Sequence, residues 1–429
     1  MEKRICLVML CLLLTGCTFP DTGSGKGETE REEVVELEFY TWTDEREYIT
    51  EAVHAFMEEH PNIRVNLHFI PSSEYAQTIS ILHNSEERGI DVFAESKPSV
   101  AAADVERDYV LDITEMVEED ASYGGIADNL RIDGRIYMLP YRKSAWAVYY
   151  NKEIFDRAGV AYPAEDWTWE DYTETARKLT SGTGKDKIYG SMSFEINSMW
   201  WRTPARTAGM ENRMTEETLE ALEEAAEWNY RMAYEFQAQP AFTELTDVNS
   251  YDYTSRFLSG TCAMFYCGDW VMEMIDQQIE EKGISFDYDV APLPGPEKGE
   301  RYMPVTSAVL QISSRSEHPE EAYMLACYIA GEEGAEIFAA NGIIPAYDSE
   351  KIRKILGSRE EAPEHVDYFW NYGQAVYTQP NEKMEEALTI VNKYVGQYFM
   401  KEITLEEAFY EIETILEERE LIEENGKEN

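Results

Sequence analysis

The stretch VVELEFYTWTDEREYITEAVHAFMEEHPNIRVNLHFI, residues 34–70, determines the fold class of this chain. Its first seven residues alternate apolar and polar side chains, as a half-buried strand does. Apolar residues then recur at helical spacing from Ile49 to Met57, until Pro61 ends the helix. A second alternating run follows from Ile63 to Ile70. A strand, a helix and a strand in this order predict a right-handed βαβ unit with a parallel sheet, so the chain begins as an α/β protein.

The rest of the chain continues this mixture of strands and helices. A helix at about 73–86 precedes a short buried strand at 90–93. Further patterns predict strands at 145–150, 263–266, 288–291 and 308–312, and helices within 151–180 and 215–238. The last helix begins at a capping box formed by Thr404 and Glu407. About 395 residues follow the first 33, which is more than a single hydrophobic core usually supports. Two lobes are therefore expected.

The N-terminus has the pattern of an export signal. Lys3 and Arg4 precede the apolar run 5–14, which is too short to cross a bilayer. Leu14-Thr15-Gly16-Cys17 then resembles the bacterial lipobox, whose cysteine is acylated before the leader is removed; an ordinary signal peptide with a chance cysteine is the alternative. We therefore expect residues 1–16 to be a lipoprotein signal peptide and Cys17 to carry the lipid anchor. Residues 17–33 are polar and Gly-rich, as in a flexible tether on the outer face of the membrane.

The net charge restricts the partners. The whole chain has a formal charge of −47, and residues 1–16 carry +1, so the mature chain carries −48. Such a field repels nucleic acid and anionic lipid, and no basic stripe opposes it, so no nucleic-acid partner is expected. The charge is compatible with a cationic solute, although a solvated acidic surface is the commoner reason for it. The 28 Tyr and 9 Trp suggest instead that some aromatic rings line a ligand surface.

Sequence signatures of catalysis were sought and are missing. The chain has no G-x-S-x-G motif, no P-loop, no zinc-ligand spacing of His and Cys, and no EF-hand loop. We therefore expect no catalytic residues, no metal and no cofactor. A secreted carbohydrate-active hydrolase stays open as an alternative, because a chain with 84 Asp and Glu offers many carboxylate pairs.

Several segments, in their order along the chain, resemble family 1 extracellular solute-binding proteins, the sugar-binding components of ATP-binding-cassette (ABC) importers. These segments are FYTWTDERE (39–47), GIDVFAES (89–96), IDGRIYMLPYRKSAWAVYYNKEIFDRAGV (132–160), WTWEDYTETARKLT (167–180), FLSGTCAMFYCGDW (257–270) and NGIIPAYDS (341–349). The resemblance implies a periplasmic-binding-protein-like α/β fold of two lobes, each a mainly parallel sheet flanked by helices, with the ligand cleft between them. If YRKSAWAVYYN and APLPGP are the crossings, lobe I comprises 34–142 and 293–332, and lobe II comprises 143–292 and 333–429.

The resemblance also implies a function: a monomeric, lipid-anchored protein that captures a carbohydrate or polyol and delivers it to the permease subunits of an ABC importer. A sugar has apolar C–H faces and a rim of hydroxyls, so aromatic rings and carboxylates suit it. The expected ligand-binding residues stand in loops after predicted strands or in a polar loop: Trp42, Asp44, Glu45, Trp200, Trp201, Asp269 and Trp270. For each tryptophan, core packing is the alternative.

One segment departs from the family pattern. Where relatives often have a Gly-Gly-rich turn before a strand, this chain has Met303-Pro304-Val305-Thr306-Ser307. Side chains at these positions prevent the close backbone approach that glycine permits. Either a hydroxyl of Thr306 or Ser307 contacts the ligand instead, or the solute differs from the common sugars.

Overall fold

The computed structural model describes residues 34–85, 89–119, 126–192, 199–210, 212–245, 252–359, 362–371 and 374–423. The predicted signal peptide, the lipidation site at Cys17 and the tether lie outside these residues. The strands are β1 (Val35–Trp42), β2 (Ile63–Ile70), β3 (Val92–Glu95), β4 (Leu139–Asn151), β5 (Met264–Gly268), β6 (Tyr288–Pro292), β7 (Tyr302–Ile312) and β8 (Gln374–Tyr377).

The described helices surround these strands. They are α1 (Arg46–Glu59), α2 (Ser72–Asn84), α3 (Pro98–Glu106), α4 (Thr114–Glu119), α5 (Lys152–Ala158), α6 (Trp169–Leu179), α7 (Thr203–Thr207), α8 (Glu216–Tyr230), α9 (Phe242–Leu245), α10 (Asp252–Leu258), α11 (Val271–Lys282), α12 (Pro319–Ala330), α13 (Glu332–Ala340), α14 (Glu350–Gly357), α15 (Glu382–Phe399) and α16 (Leu405–Glu418). None of them combines the length and the apolar composition that spanning a bilayer requires.

The βαβ unit predicted from residues 34–70 is confirmed. β1 and β2 are parallel neighbours in register from Val35 opposite Ile63 to Trp42 opposite Ile70. The connecting helix α1 buries its apolar face, including Ile49, against the sheet side of the core. β3 pairs with the other edge of β1, also parallel. The carboxyl ends of β1 and β3 therefore open at the same edge of the sheet, where ligands of α/β proteins usually bind.

The remaining strands give a mixed sheet in the order β2-β1-β3-β7-β4-β5, with β6 on β4 and β8 on β7. β7 and β8 are parallel, but β4 is antiparallel to β5, β6 and β7. The expectation of a mainly parallel sheet in each lobe fits the pairs that β1 makes with β2 and β3, but β3 is antiparallel to β7 and the pairs around β4 are antiparallel too. Most of the antiparallel pairs involve the 13-residue β4, which pairs with β7 over its first half and with β5 and β6 over its second half.

Apolar side chains form separate cores along these strands. The first core contains β1, β2, β3, α1 and α12. On the second half of β4, alternate side chains enter two clusters: Trp146 and Val148 lie on one face of the sheet, and Ala147 and Tyr149 lie on the other. This alternation follows from the two-residue period of a strand. The second lobe is therefore a sheet that is covered on both faces.

Two long strands run from one core to the other. We call the cluster that contains Trp146 and Val148 the second core. β4 places Tyr141 in the first core and Trp146 in the second core, whereas β7 places Val305 in the second core and Leu310 in the first. The first predicted crossing segment thus coincides with β4. Leu293 of the APLPGP segment packs within the second core, and β7 makes the second passage. The predicted lobe boundaries themselves stay a prediction.

Local signals at the helix ends match the sequence patterns. Thr404 and Glu407 form the predicted capping box at the start of α16, and Thr168 and Asp171 form another at α6. Cys262 and Cys267 are both buried, and neither forms a disulfide within the described part of the chain.

Candidate functional site

The candidate site lies between the two cores, where loops follow the carboxyl ends of β1, β3 and β5. Glu45 ends the short helical turn Thr43–Glu45 that follows β1, and its side chain is fully buried. Its two carboxylate oxygens accept hydrogen bonds from the Tyr141 hydroxyl at 2.9 and 2.8 Å, and one of them also accepts from Thr41 Oγ1. Arg142 Nη1 lies 3.4 Å from Glu45 Oε1. The Glu45 carboxylate, which was predicted to bind the ligand, is thus occupied by donors of the protein itself. Through these contacts Glu45 fixes the loop after β1 to the crossing strand β4.

Asp269, predicted from the other lobe, belongs to the same electrostatic group. It follows β5, is 3% exposed, and its Oδ1 accepts a hydrogen bond from Ser144 Oγ at 2.9 Å. Burial raises the pKa of Asp269 to about 6, and the nearby Arg142 guanidinium opposes that rise. Arg142 thus pairs with Glu45 and also lowers the energy of the charged Asp269, so the structure relates two predicted site residues to one cation that the sequence did not single out.

The other predicted carboxylate, Asp44, is exposed on the loop after β1. Its charge reaches Glu273 of α11, the helix that begins immediately after Trp270. Burial raises the pKa of Glu273 to about 7, and the negative charges of Glu47 and Asp44 add to that rise. The Asp44 carboxylate thus acts electrostatically on a residue of the helix that follows Trp270.

Trp270 is half-buried, and it is the most exposed of the four predicted tryptophans. Its ring meets the ring of Trp146 edge to face, with centroids 5.9 Å apart, and the Arg206 guanidinium lies 5.7 Å from the centroid of Trp146. A Cβ atom at Gly268 would stand 1.7 Å from the Trp270 ring. The ring thus rests directly on the backbone of β5, which holds its plane in one orientation.

Trp42 ends β1 and is only 9% exposed. It packs against Tyr75 of α2 with a centroid distance of 4.8 Å. The Tyr75 hydroxyl in turn donates to the carbonyl of Ala94, 2.8 Å away in β3. The indole of Trp42 therefore belongs to the wall of the first lobe at the carboxyl ends of β1 and β3.

Trp200 and Trp201 lie inside the second core, with exposed fractions of 1% and 0%. Trp200 neighbours Phe242 and Tyr266, whereas the Trp201 indole N–H donates to Asn392 Oδ1 at 3.1 Å. Both rings thus lie in apolar packing in this structure, which was the alternative expectation for them. Their contact with a ligand stays a prediction.

A polar pocket is lined by residues of both lobes, among them Lys97, Ser99, Arg202, Gln379 and Glu385. Lys97 and Ser99 stand at the start of α3, after β3, whereas Glu385 lies on α15, whose apolar face packs in the second core. Lys97 Nζ lies 2.7 and 2.6 Å from the two Glu385 oxygens, and Ser99 Oγ donates to Glu385 at 2.7 Å. Sequence reasoning missed this pocket; the family-like segment GIDVFAES, which ends one residue before Lys97, was the available signal.

Two buried carboxyl groups lie on the elements that flank Lys97 in the chain, Glu95 at the end of β3 and Asp104 on α3. Burial raises the pKa of Glu95 to about 8, and the charge of Asp104 adds to this effect. Burial also raises the pKa of Asp104 to about 6, although Arg107 opposes the rise. At neutral pH the Glu95 carboxyl is therefore mostly protonated and neutral.

This raised pKa predicts a stability change with pH. The folded-state pKa of Glu95 lies above its unfolded value, so its stabilising effect is complete below about pH 4.5 and is lost as the pH rises through 8. Glu95→Gln keeps the shape without the charge. We expect the variant to be at least about 1 kcal/mol more stable than the unmodified protein at pH 8.5 and nearly equal to it at pH 4.5. Urea unfolding at both pH values measures the difference, and an equal difference at both would contradict the assignment.

Among the described residues, one group has the composition of a metal site: Asp289, Glu364 and His365, whose ligand atoms lie within 4.8 Å of one another. Asp289 already accepts hydrogen bonds from the Tyr150 hydroxyl at 3.1 Å and from the backbone N–H of His365 at 3.0 Å. His365 Nδ1 lies 2.6 Å from Asp289 Oδ2, and this hydrogen bond raises the pKa of the imidazole. The group is thus arranged as an ion pair that fastens the loop around His365 to β6.

Comparisons with known proteins agree with this architecture. The sequence model of the bacterial extracellular solute-binding protein family matches residues 41–336. An uncharacterised extracellular-binding protein of an ABC transporter from Pyrococcus horikoshii is 20% identical over 398 residues, which cover 86% of this chain and 90% of that protein.

Solved structures give the same result for the fold. A sugar transporter from Rhizobium etli, in an open conformation, is 25% identical with a TM-score of 0.72, and the match covers 89% of this chain and 99% of that one. A substrate-binding protein from Listeria monocytogenes, in complex with cycloalternan, is 20% identical with a TM-score of 0.78, and the match covers 91% and 100% of the two chains. The expectation of a two-lobed binding-protein fold is therefore confirmed.

Proposed function

Because the chain belongs to the family of bacterial extracellular solute-binding proteins, we propose that it captures a carbohydrate outside the cell and delivers it to the permease of an ABC importer. The observation that carries this proposal is the site between the two cores. There Trp270 presents a partly exposed ring fixed on β5, beside the buried polar group of Arg142, Asp269 and Ser144. An aromatic platform next to oriented polar groups suits the C–H faces and hydroxyls of a sugar.

The crossing strands add a further polar group to the site, the hydroxyl of Thr306. Thr306 of β7 lies opposite Ser144 of β4, and both side chains are nearly buried. Among the described residues, the Thr306 hydroxyl has no hydrogen-bond partner, and a buried polar group normally has one. We infer that a ligand hydroxyl pairs with Thr306 when the lobes close, in place of the backbone contact that a Gly-rich turn would make.

We propose that ligand binding is coupled to movement of the lobes about β4 and β7, and that the protein performs no chemistry on the ligand. Two strands that pass between separate cores permit hinge closure with small changes at the crossing residues. The permease would then read the closed form. The predicted division into 34–142 with 293–332 and 143–292 with 333–429 belongs to this proposal, with the second crossing moved from the APLPGP segment to β7, and so does a monomeric state.

A thermal-shift screen tests the proposal. The intact mature protein is heated with mono- and oligosaccharides, with polyamines and with short peptides as separate sets. A ligand at 100 times its dissociation constant should add about 2.7 kcal/mol to the free energy of unfolding, which is a clear rise in melting temperature. Stabilisation by carbohydrates is the expected result. If only polyamines or only peptides stabilise the protein, that solute class is the ligand and the carbohydrate proposal is wrong.

We propose that Cys17 anchors the protein to the outer face of the cell membrane. Cys17→Ala should move the protein from the membrane fraction to the soluble fraction of the producing cells, because stable attachment requires the acyl chains on that cysteine. Cys11→Ala, within the predicted leader, is the matched control and should leave the protein on the membrane. Fractionation followed by mass spectrometry of the N-terminus measures both, and an unmodified Cys17 in membrane-bound protein would refute the anchor.

A further inference from the structure

The polar pocket between the lobes has a charge opposite to that of the chain. The whole sequence contains 37 Lys and Arg against 84 Asp and Glu. Three charged side chains line this pocket, and two of them are the cations Lys97 and Arg202. Its remaining lining is mainly uncharged and polar, including Ser99 and Gln379. A net positive pocket in a strongly acidic protein favours an anionic ligand, because most of the surrounding surface repels one.

The third charged side chain, Glu385, places a carboxylate among the donors of this pocket. Lys97 Nζ lies within 2.7 Å of both oxygens of its carboxylate, and Ser99 donates a third hydrogen bond at 2.7 Å. Although burial alone would raise the pKa of Glu385, the Lys97 ammonium, its hydrogen bonds and the Arg202 charge hold it below the ordinary value. The donors therefore stabilise a charged carboxylate at this position.

The donors also come from both lobes. Lys97 and Ser99 begin α3, and the positive end of that helix adds to the potential at the pocket. Arg202 directly precedes α7, whose Ala205 packs in the second core, and α15 carries Glu385 beside Met384 and Leu388 of the same core. A carboxylate in this pocket is thus held between the lobes, as a ligand that drives closure must be.

We propose that this pocket binds the carboxylate of an acidic sugar, a uronic acid, and that Glu385 occupies the carboxylate position while no ligand is bound. This inference rests on the proposed function and names its substrate class. Lys97 and Ser99 bind the ligand carboxylate from the first lobe, and Arg202 binds it from the second. Glu385 is displaced and turns away as the ligand enters.

Calorimetric titration of the intact mature protein tests the substrate class. D-galacturonic and D-glucuronic acids and their disaccharides are compared with the corresponding neutral sugars and with glucose 6-phosphate. A uronic acid should bind at least tenfold more tightly than its neutral counterpart, and high salt should reduce that difference. Preference for a neutral sugar or for the sugar phosphate would overturn the inference while leaving carbohydrate binding intact. Failure of every carbohydrate to bind would instead overturn the proposed function.

Two variants separate ligand recognition from a merely structural ion pair. Lys97→Met should weaken uronic-acid binding about 10- to 100-fold, since it removes a charge-assisted hydrogen bond, and should leave the affinity for neutral sugars within about twofold. Lys178→Met, an exposed lysine on α6, is the matched control and should change neither. Glu385→Gln should bind uronic acid at least threefold more tightly, because the competing carboxylate is gone. Equal losses for both sugar classes in Lys97→Met, or a weaker uronic-acid complex in Glu385→Gln, would show a structural pair and overturn the inference.

Discussion

Replacing Glu45 by alanine should lower the free energy of unfolding by about 3 kcal/mol or more. The carboxylate is fully buried, and its removal takes away the acceptor for the Tyr141 hydroxyl and the counter-charge of Arg142. The largely buried Arg142 would then lose part of its compensating charge. Breaking a buried ion pair on one side costs more than the pair itself contributes, because the remaining charge is left without a partner.

Chemical denaturation of the two proteins side by side measures this loss. Glu153→Ala is the matched control: that carboxylate is 82% exposed and lies 3.9 Å from Arg157, so its removal should change stability by less than about 0.5 kcal/mol. A Glu45→Ala variant as stable as the control would show that the Glu45 cluster does not organise the loop after β1. The carboxylate would then be available to a ligand, as the sequence suggested.

Replacing Trp270 by alanine should weaken carbohydrate binding by about 2 kcal/mol or more, roughly a 30-fold rise in the dissociation constant. The ring is fixed on the backbone at Gly268 and against Trp146, so little ordering is needed when a sugar face stacks on it. Trp270→Phe keeps an apolar face and should recover part of the affinity. Calorimetry with the ligand found in the thermal-shift screen measures both variants.

Trp228→Ala provides the control for this prediction. That tryptophan is also half-buried, but it lies on α8, where its indole N–H donates to Thr173. Its loss should lower stability without changing ligand affinity. If Trp270→Ala remains folded and binds the ligand as tightly as the unmodified protein, Trp270 is a packing residue and the position of the sugar must be reassigned.

The sequence predicted the parts of this fold that depend on local patterns. Period-two alternation and helical spacing between residues 34 and 70 identified the βαβ unit, and the residue types at Thr404 and Glu407 identified the start of α16. The antiparallel pairs around β4 were missed because strand direction depends on which distant segments meet, and no local pattern in β4 records that it passes between two cores.

The candidate site was harder to predict for the same reason. Asp269 and Glu45 were recognised as polar residues after strands, but Arg142, whose charge acts on both, lies in the first half of β4 and looked like part of a crossing segment. Trp200 and Trp201 appeared to stand in a polar loop, yet they enter the second core because the helices α8 and α15 close over them. The contact between Lys97 and Glu385 joins residues 288 positions apart. A contact between residues so far apart in the chain depends on how the two lobes pack together, and no local sequence pattern predicts it.

The most direct test of the central claim is a titration of the mature protein with the carbohydrate that gives the largest thermal shift, followed by chemical analysis of the recovered ligand. We expect saturable binding of one ligand molecule per chain and recovery of the same carbohydrate, unchanged, after prolonged incubation. A protein that binds no carbohydrate, or that returns a cleaved or otherwise altered one, would contradict the proposal that this chain captures a carbohydrate for an importer.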